Sequence, residues 1–285
     1  MEIYFKQMVG YLIHVFQVTS GQLFVLFGPL IILALFLNFS AILTARLSVR
    51  FWGRNLFLYG FGWLGCSVHE LSHAFFAIIF GHKIKEIELF KPNSDGESIG
   101  HVSHSFNKRS IYQKTGNFFI GIGPLLAGGI VLFVITLILF HIQITEIFKF
   151  RITSEIFSDK ILFNQFVAAL WSGLISCKEL VFGGTPIAWW KFVVLVFVLY
   201  STGSSMTLSK SDVKGAVAGF LWVIIFSLIF NLLTLWIGDF AAQAVAKIAQ
   251  YISGFYFLLM LSFVCNLLFI MLFFVLNILK SIFTS

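Results

Sequence analysis

The chain has 285 residues, of which 59% are hydrophobic and only 11% charged, with a mean hydropathy of +0.97. Soluble domains carry about a quarter charged residues, so a water-soluble globule is excluded; the expected solvent is the bilayer, where the backbone must close its own hydrogen bonds as helices. The net charge is +7, but its cations are scattered over short loops, the pattern of membrane flanks beside anionic lipid and not of nucleic-acid binding.

Residues 1–20 mix Glu2, Lys6, Gln7, His14 and Gln17 with apolar side chains and show no signal-peptide cleavage pattern, so an amphipathic lead-in helix is expected. About six spans then follow by length and lack of charge. They cover about 22–43 (ending at Arg46, Arg50 and Arg54), 55–81, 117–140, 187–200, 215–237 and 252–279. The fourth is too short to cross about 30 Å of hydrocarbon unless the polar stretch 201–211 continues it. Between the second and third spans, 83–90 is isoleucine-rich and partly alternating. A turn signal at Pro92-Asn93-Ser94-Asp95-Gly96 and a second run at 98–106 follow. This predicts a short β-hairpin at the membrane surface. Ser158-Asp159 precedes a stretch at 160–182 whose apolar face is broken by Asn164, Gln165, Ser172, Ser176, Lys178 and Glu179. That mixture fits a helix lying in the interface.

The predicted fold is therefore an all-α integral membrane protein, one membrane-embedded domain over 1–285, with a surface β-hairpin and an interfacial helix. Cations lie on both sides of the spans, and the positive-inside rule leans toward a cytoplasmic hairpin. Cys66, Cys177 and Cys265 are too widely spaced to form a disulfide framework or a thiolate zinc cluster.

The second span alone carries ionisable residues at its centre, in Val68-His69-Glu70-Leu71-Ser72-His73-Ala74. Residues four apart on a helix lie one turn above each other, so His69 and His73 can present imidazoles to one metal ion. Glu70, beside the first imidazole, can accept a proton from water at that ion. Neutral imidazoles suit zinc, whereas carboxylates alone suit magnesium or calcium. An ionisable side chain at mid-bilayer costs roughly 2.5–3.5 kcal/mol on insertion scales, which weighs against the plainer reading of a His/Glu hydrogen-bond cluster stabilising helix packing. His101 and His104, spaced as His-x-x-His in the hairpin, fit a solvated or substrate-facing strand better than a second metal site. His82 follows Gly81 at a helix end, where a cation suits the dipole.

His69-Glu70-Leu71-Ser72-His73, then Gly81, then Gly123-Pro124-Leu125 opening the next span, resemble the site-2-protease family of intramembrane zinc metallopeptidases, nearest its compact bacterial branch. The resemblance covers about 60–129 well and 200–219 more loosely. It implies a multi-pass protein of a bacterial cytoplasmic membrane. It further implies one zinc ion held by His69, His73 and a distant aspartate, Glu70 as catalytic base, and a transmembrane protein or peptide as substrate. The family's aspartate commonly precedes a glycine near the start of a late helix. Asp212 in Ser209-Lys210-Ser211-Asp212-Val213-Lys214-Gly215 is the nearest equivalent, with its glycine three residues on; the other late aspartate, Asp239, lies in an ordinary loop. Read alone, Asp212 is a carboxylate favouring a helix N-terminus. Many relatives carry an Asn shortly after Gly-Pro, where this chain has Ala127; Ser204 or Ser205 would then hold the substrate backbone. Gly121, Gly123, Gly128 and Gly129 permit close helix contact.

The main alternative is a catalytically silent relative serving as a membrane scaffold or partner subunit. A membrane di-iron oxygenase would want about eight clustered histidines, and this chain has seven, only two pairs of them clustered.

Overall fold

The computed structural model describes residues 1–92, 99–140 and 188–284, with Asn164 and Ala168 as isolated helical positions. The predicted interfacial helix at 160–182 and most of the hairpin turn lie outside the described residues. In chain order the elements are α1 (Glu2–Trp52), α2 (Arg54–Phe57), a π-helical turn (Leu58–Gly62), α3 (Trp63–Ile79), β1 (Lys83–Glu88), β2 (His101–Ser105), α4 (Ile111–Phe140), α5 (Trp189–Gly203), α6 (Lys210–Thr234) and α7 (Phe240–Thr284).

The architecture is helical and membrane-like. Among the described residues, four stretches are long and apolar enough to cross a bilayer: α1, Ile111–Leu139 of α4, α6, and Phe255–Phe283 of α7. About six were expected. The two missing from that set are α5, whose 15 residues are under the roughly 20 that a crossing needs, and α3, whose 17 residues continue α2 and the π-helical turn without a break. The stretch 201–211 does not prolong α5 past Gly203: 204–205 is a turn and 206–209 is irregular chain before α6 begins. The lead-in and the first span are one helix of 51 residues. It runs past Arg46 and Arg50 to Gly53, whose φ of 83° is the left-handed backbone that stops a helix and favours glycine.

By contact the described chain forms two compact units. In the first, residues 1–32 and 222–257, Asn231 is buried and its amide donates to Thr19 Oγ1 at 2.9 Å and Gln22 Oε1 at 2.7 Å. Val15, Val18, Leu235 and Ala242 make its apolar cluster. Between helices whose partner would otherwise be hydrocarbon, such polar pairs fix which faces meet.

The second unit takes residues 33–92, 99–140, 188–221 and 258–284. Here the buried Asn266 of α7 donates to Gly203 O at 3.1 Å and Ser40 Oγ at 3.4 Å, tying the end of α5 to α1. Phe57, Leu58, Tyr200 and Phe273 form a cluster beside it. Ser201 Oγ donates to Phe61 O, joining α5 to the π-helical turn.

The hairpin forms as the sequence predicted. β1 and β2 pair antiparallel from Lys83↔Ser105 to Glu88↔His101, with an irregularity between Ile84 and Glu86. It leaves α3 through a Schellman cap: His82 N donates to Ala77 O at 2.8 Å, Gly81 N donates to Ile78 O at 3.0 Å, and Gly81 has φ 69°. Buried His82 donates from Nε2 to Gln113 O at 2.8 Å, so its bare Nδ1 faces His104 Nδ1 at 3.0 Å and accepts that ring's hydrogen. His82 therefore sits at the helix end as a neutral ring instead of the expected cation.

Burial holds the pKa of both rings below the ordinary imidazole value, and for His104 the neighbouring His82 adds to burial. An opened junction would take up protons near pH 6.5 that the closed one resists, so opening is favoured as the pH falls. The stability contributed by this pair is full above about pH 6.5 and is lost as the pH drops toward the lowered values. Hydrogen exchange of the amides of 83–88 and 101–105, corrected for intrinsic rates, should quicken between about pH 7.5 and 5.5. Protection that stays constant over that range would remove the pair from the junction's energetics.

Candidate metal centre

His69 and His73 stand on one face of α3, ring centroids 4.9 Å apart. Each ring is fixed by a backbone carbonyl on another element. His69 Nδ1 donates to Ser205 O, in the break after α5, at 2.9 Å. His73 Nδ1 donates to Ile120 O of α4 at 2.8 Å. A neutral imidazole has one N–H, and here both are engaged at Nδ1. The two Nε2 atoms are left as bare lone pairs, and they face each other at 3.2 Å.

Asp212 completes the group. It lies in the first turn of α6, where Ser209 N donates to Asp212 Oδ2 at 2.8 Å and Asp212 N donates to Ser209 Oγ at 3.1 Å. That is a capping box, with Ser209 as N-cap and Asp212 three residues on. It engages one carboxylate oxygen and leaves Oδ1, which lies 3.6 Å from His73 Nε2. The helix-terminus role and the convergence on the histidines are thus filled by the same side chain through different oxygens.

Among the described residues, His69, His73 and Asp212 form the one group of three potential metal donors, their ligand atoms all within 4.8 Å of one another. Two ligands bound tetrahedrally about 2.0–2.1 Å from zinc lie roughly 3.3 Å apart. The observed 3.2 Å and 3.6 Å bracket that spacing. Lone pairs and a carboxylate converging at this distance repel one another unless a cation lies among them. One shared proton would answer one pair of atoms; a metal ion answers all three.

Glu70 is buried at 8% exposure and is not among the three converging donors. It lies within electrostatic reach of Asp212 and His101. The hairpin approaches it closely: a side chain at Gly100 would come within 2.9 Å of Glu70 Cγ. The Glu70 side chain therefore packs where the chain enters β2, next along α3 from His69.

Close backbone approach sets the remaining geometry. An added Cβ at Gly121 of α4 would lie 2.4 Å from Asp212 O, and one at Gly219 of α6 would lie 2.2 Å from Phe118 N. Small residues at these two points let α6 lie against α4, which carries Asp212 to the histidines. Gly123 and Gly128, also expected to serve helix contact, meet Ser72 and Met206. The centre lies at the lysine-bearing start of α6, level with the middle of α3, so the two helices are staggered.

His101 and His104 do not converge. Three residues apart on a strand, they point to opposite faces: His101 to Glu86 and Glu88 at 3.3 and 3.4 Å, His104 to His82. Ser204 and Ser205 donate their hydroxyls to Ser201 O at 3.2 Å, so what Ser205 offers the centre is its carbonyl. The orienting carbonyls of Ser205 and Ile120 carry no side-chain signal. The capping box, Ser-x-x-Asp at 209–212, was legible as a motif. No family model, curated protein or solved structure matches the chain.

Proposed function

We propose that the chain is an intramembrane zinc metalloprotease of the site-2-protease kind, cutting peptide bonds of membrane-spanning substrates. In this reading α3 and α5 join the four longer helices to make about six crossings in a bacterial cytoplasmic membrane. The observation that carries the proposal is the pair of bare imidazole Nε2 atoms at 3.2 Å with Asp212 Oδ1 at 3.6 Å from one of them.

Zinc, when bound, supplies the charge that polarises a carbonyl and lowers the pKa of a water toward about 7. The chain's own residues do the rest. Ser205 O and Ile120 O hold His69 and His73 in the tautomer that keeps Nε2 free. Ser209 turns one oxygen of Asp212 toward them. Glu70 takes a proton from the attacking water at a carboxylate oxygen. As the peptide C–N bond breaks, it delivers that proton to the leaving amine nitrogen. The substrate helix must unwind locally, because a helical backbone shields its carbonyls from attack.

Metal analysis of the chain purified without chelators tests this directly. One zinc per chain is expected, and Asp212→Ala should weaken zinc binding by more than the roughly 10- to 100-fold that outer-shell changes cost. A wild-type chain that stays metal-free when zinc is supplied would sink the proposal.

A further inference from the structure

Beside Asp212, between the start of α6 and Asn38 of α1, lies an open groove of about 740 Å³. Its α6 wall is one helical stripe: Lys210, Lys214, Val217 and Leu221, spaced by four, three and four. Asn38 of α1 forms part of the opposite wall, where its Oδ1 accepts from Leu208 N at 2.8 Å. The stripe is cationic at one end and apolar at the other. At about 1.5 Å per residue it runs roughly 16 Å, close to the half-thickness of a hydrocarbon core of about 30 Å. Among the described residues, neither Lys210 nor Lys214 makes an ion pair or hydrogen bond. Asp212 between them does not answer their charge, since its oxygens are turned to Ser209 N and His73. The positive end of the α6 dipole lies at the same place.

We propose that this groove binds one anionic phospholipid, with its phosphate between Lys210 and Lys214 and one acyl chain along Val213, Val217 and Leu221. Charge complementarity selects the class. Two unanswered ammonium groups at the end of an apolar stripe one leaflet long match a headgroup of net negative charge, and a zwitterionic headgroup brings its own cation to the same spot. Lys210 and Lys214 flank Asp212, so a lipid held there would brace the turn that presents Oδ1 to the histidines.

The test uses the full chain purified in detergent, with or without zinc, and exposed to phosphatidylglycerol or to phosphatidylcholine of the same acyl chains. Retained lipid is counted by native mass spectrometry. Phosphatidylglycerol should be retained at one per chain and preferred over phosphatidylcholine. Each lysine should contribute about fivefold, so K210Q/K214Q should weaken retention roughly 25-fold and K210R/K214R should restore it. Val217→Trp fills the groove with its charge intact and should also expel the lipid, which keeps the proposal testable if the lysine variant misfolds. Equal retention of the two lipids would overturn the proposal. So would unchanged retention by K210Q/K214Q or Val217→Trp, or occupation of the groove by a second copy of the chain, seen as a lipid-free dimer. The lipid count is read without cleavage and without metal, so its failure is distinct from failure of the protease reading.

Discussion

On the proposed protease reading, a chain carrying Glu70→Gln is expected to bind zinc as the wild type does and to lose cleavage by roughly 10²- to 10⁴-fold, the usual contribution of a positioned general acid–base. Metal retention is expected because Glu70 is outside the donor group: the converging atoms belong to His69, His73 and Asp212. Glutamine has nearly the shape of glutamate, so the close approach of Gly100 to the Glu70 side chain is undisturbed. What changes is that an amide cannot take a proton from water near neutral pH. Single-turnover cleavage of a transmembrane reporter in proteoliposomes, with zinc counted in the same sample, measures both halves. Full-speed cleavage by the zinc-loaded variant would take Glu70 out of the chemistry.

The second large effect comes from a methyl group. Gly65→Ala places its Cβ 2.1 Å from Ser201 O and 2.2 Å from Ser205 Oγ. A backbone oxygen cannot rotate aside as a flexible side chain can, so α3 and α5 must part. Ser205 is the residue whose carbonyl holds His69 Nδ1 at 2.9 Å. The displacement therefore reaches a ring orientation directly, and zinc affinity should fall by roughly 10- to 100-fold, the range for losing an outer-shell partner. Overpacking of this kind also costs about 1–3 kcal/mol of stability. Gly60→Ala is the control: nothing lies within 4 Å of its added Cβ, and both quantities should stay near wild type. Matching zinc affinities for the two variants would show that the α3–α5 contact does not set the His69 ring.

The parts of this protein legible in its sequence are those in which one residue's neighbours along the chain are also its neighbours in space. His69 and His73 face together because a helix repeats in under four residues, and the hairpin follows from alternation around a turn signal. Asp212 is different. It is separated by about half the chain from its partners, so only a resemblance pointed to it, and its capping box alone explains its presence at a helix start. Of about six spans expected, four are long and apolar enough to cross a bilayer among the described residues, and α3 and α5 are shorter. α3 ends by a local cap, where Gly81 turns the chain into the hairpin, whereas α5 ends at Gly203, whose carbonyl accepts from the distant Asn266. The carbonyls of Ser205 and Ile120 were beyond reach because any residue type supplies one.

The wide turn at Leu58–Gly62, closed by the bond from Trp63 N to Leu58 O, works as a phase shifter for everything after it. It inserts one more residue into a coil than an ordinary helix would hold. Deleting one of those five residues would leave the downstream side chains near their present bearing, whereas the same five wound as ordinary α-helix would swing them about 100° around the axis. In that wound-up case His69 and His73 would keep their mutual spacing yet aim at a different neighbour, so the centre's bearing is encoded seven residues before its first donor.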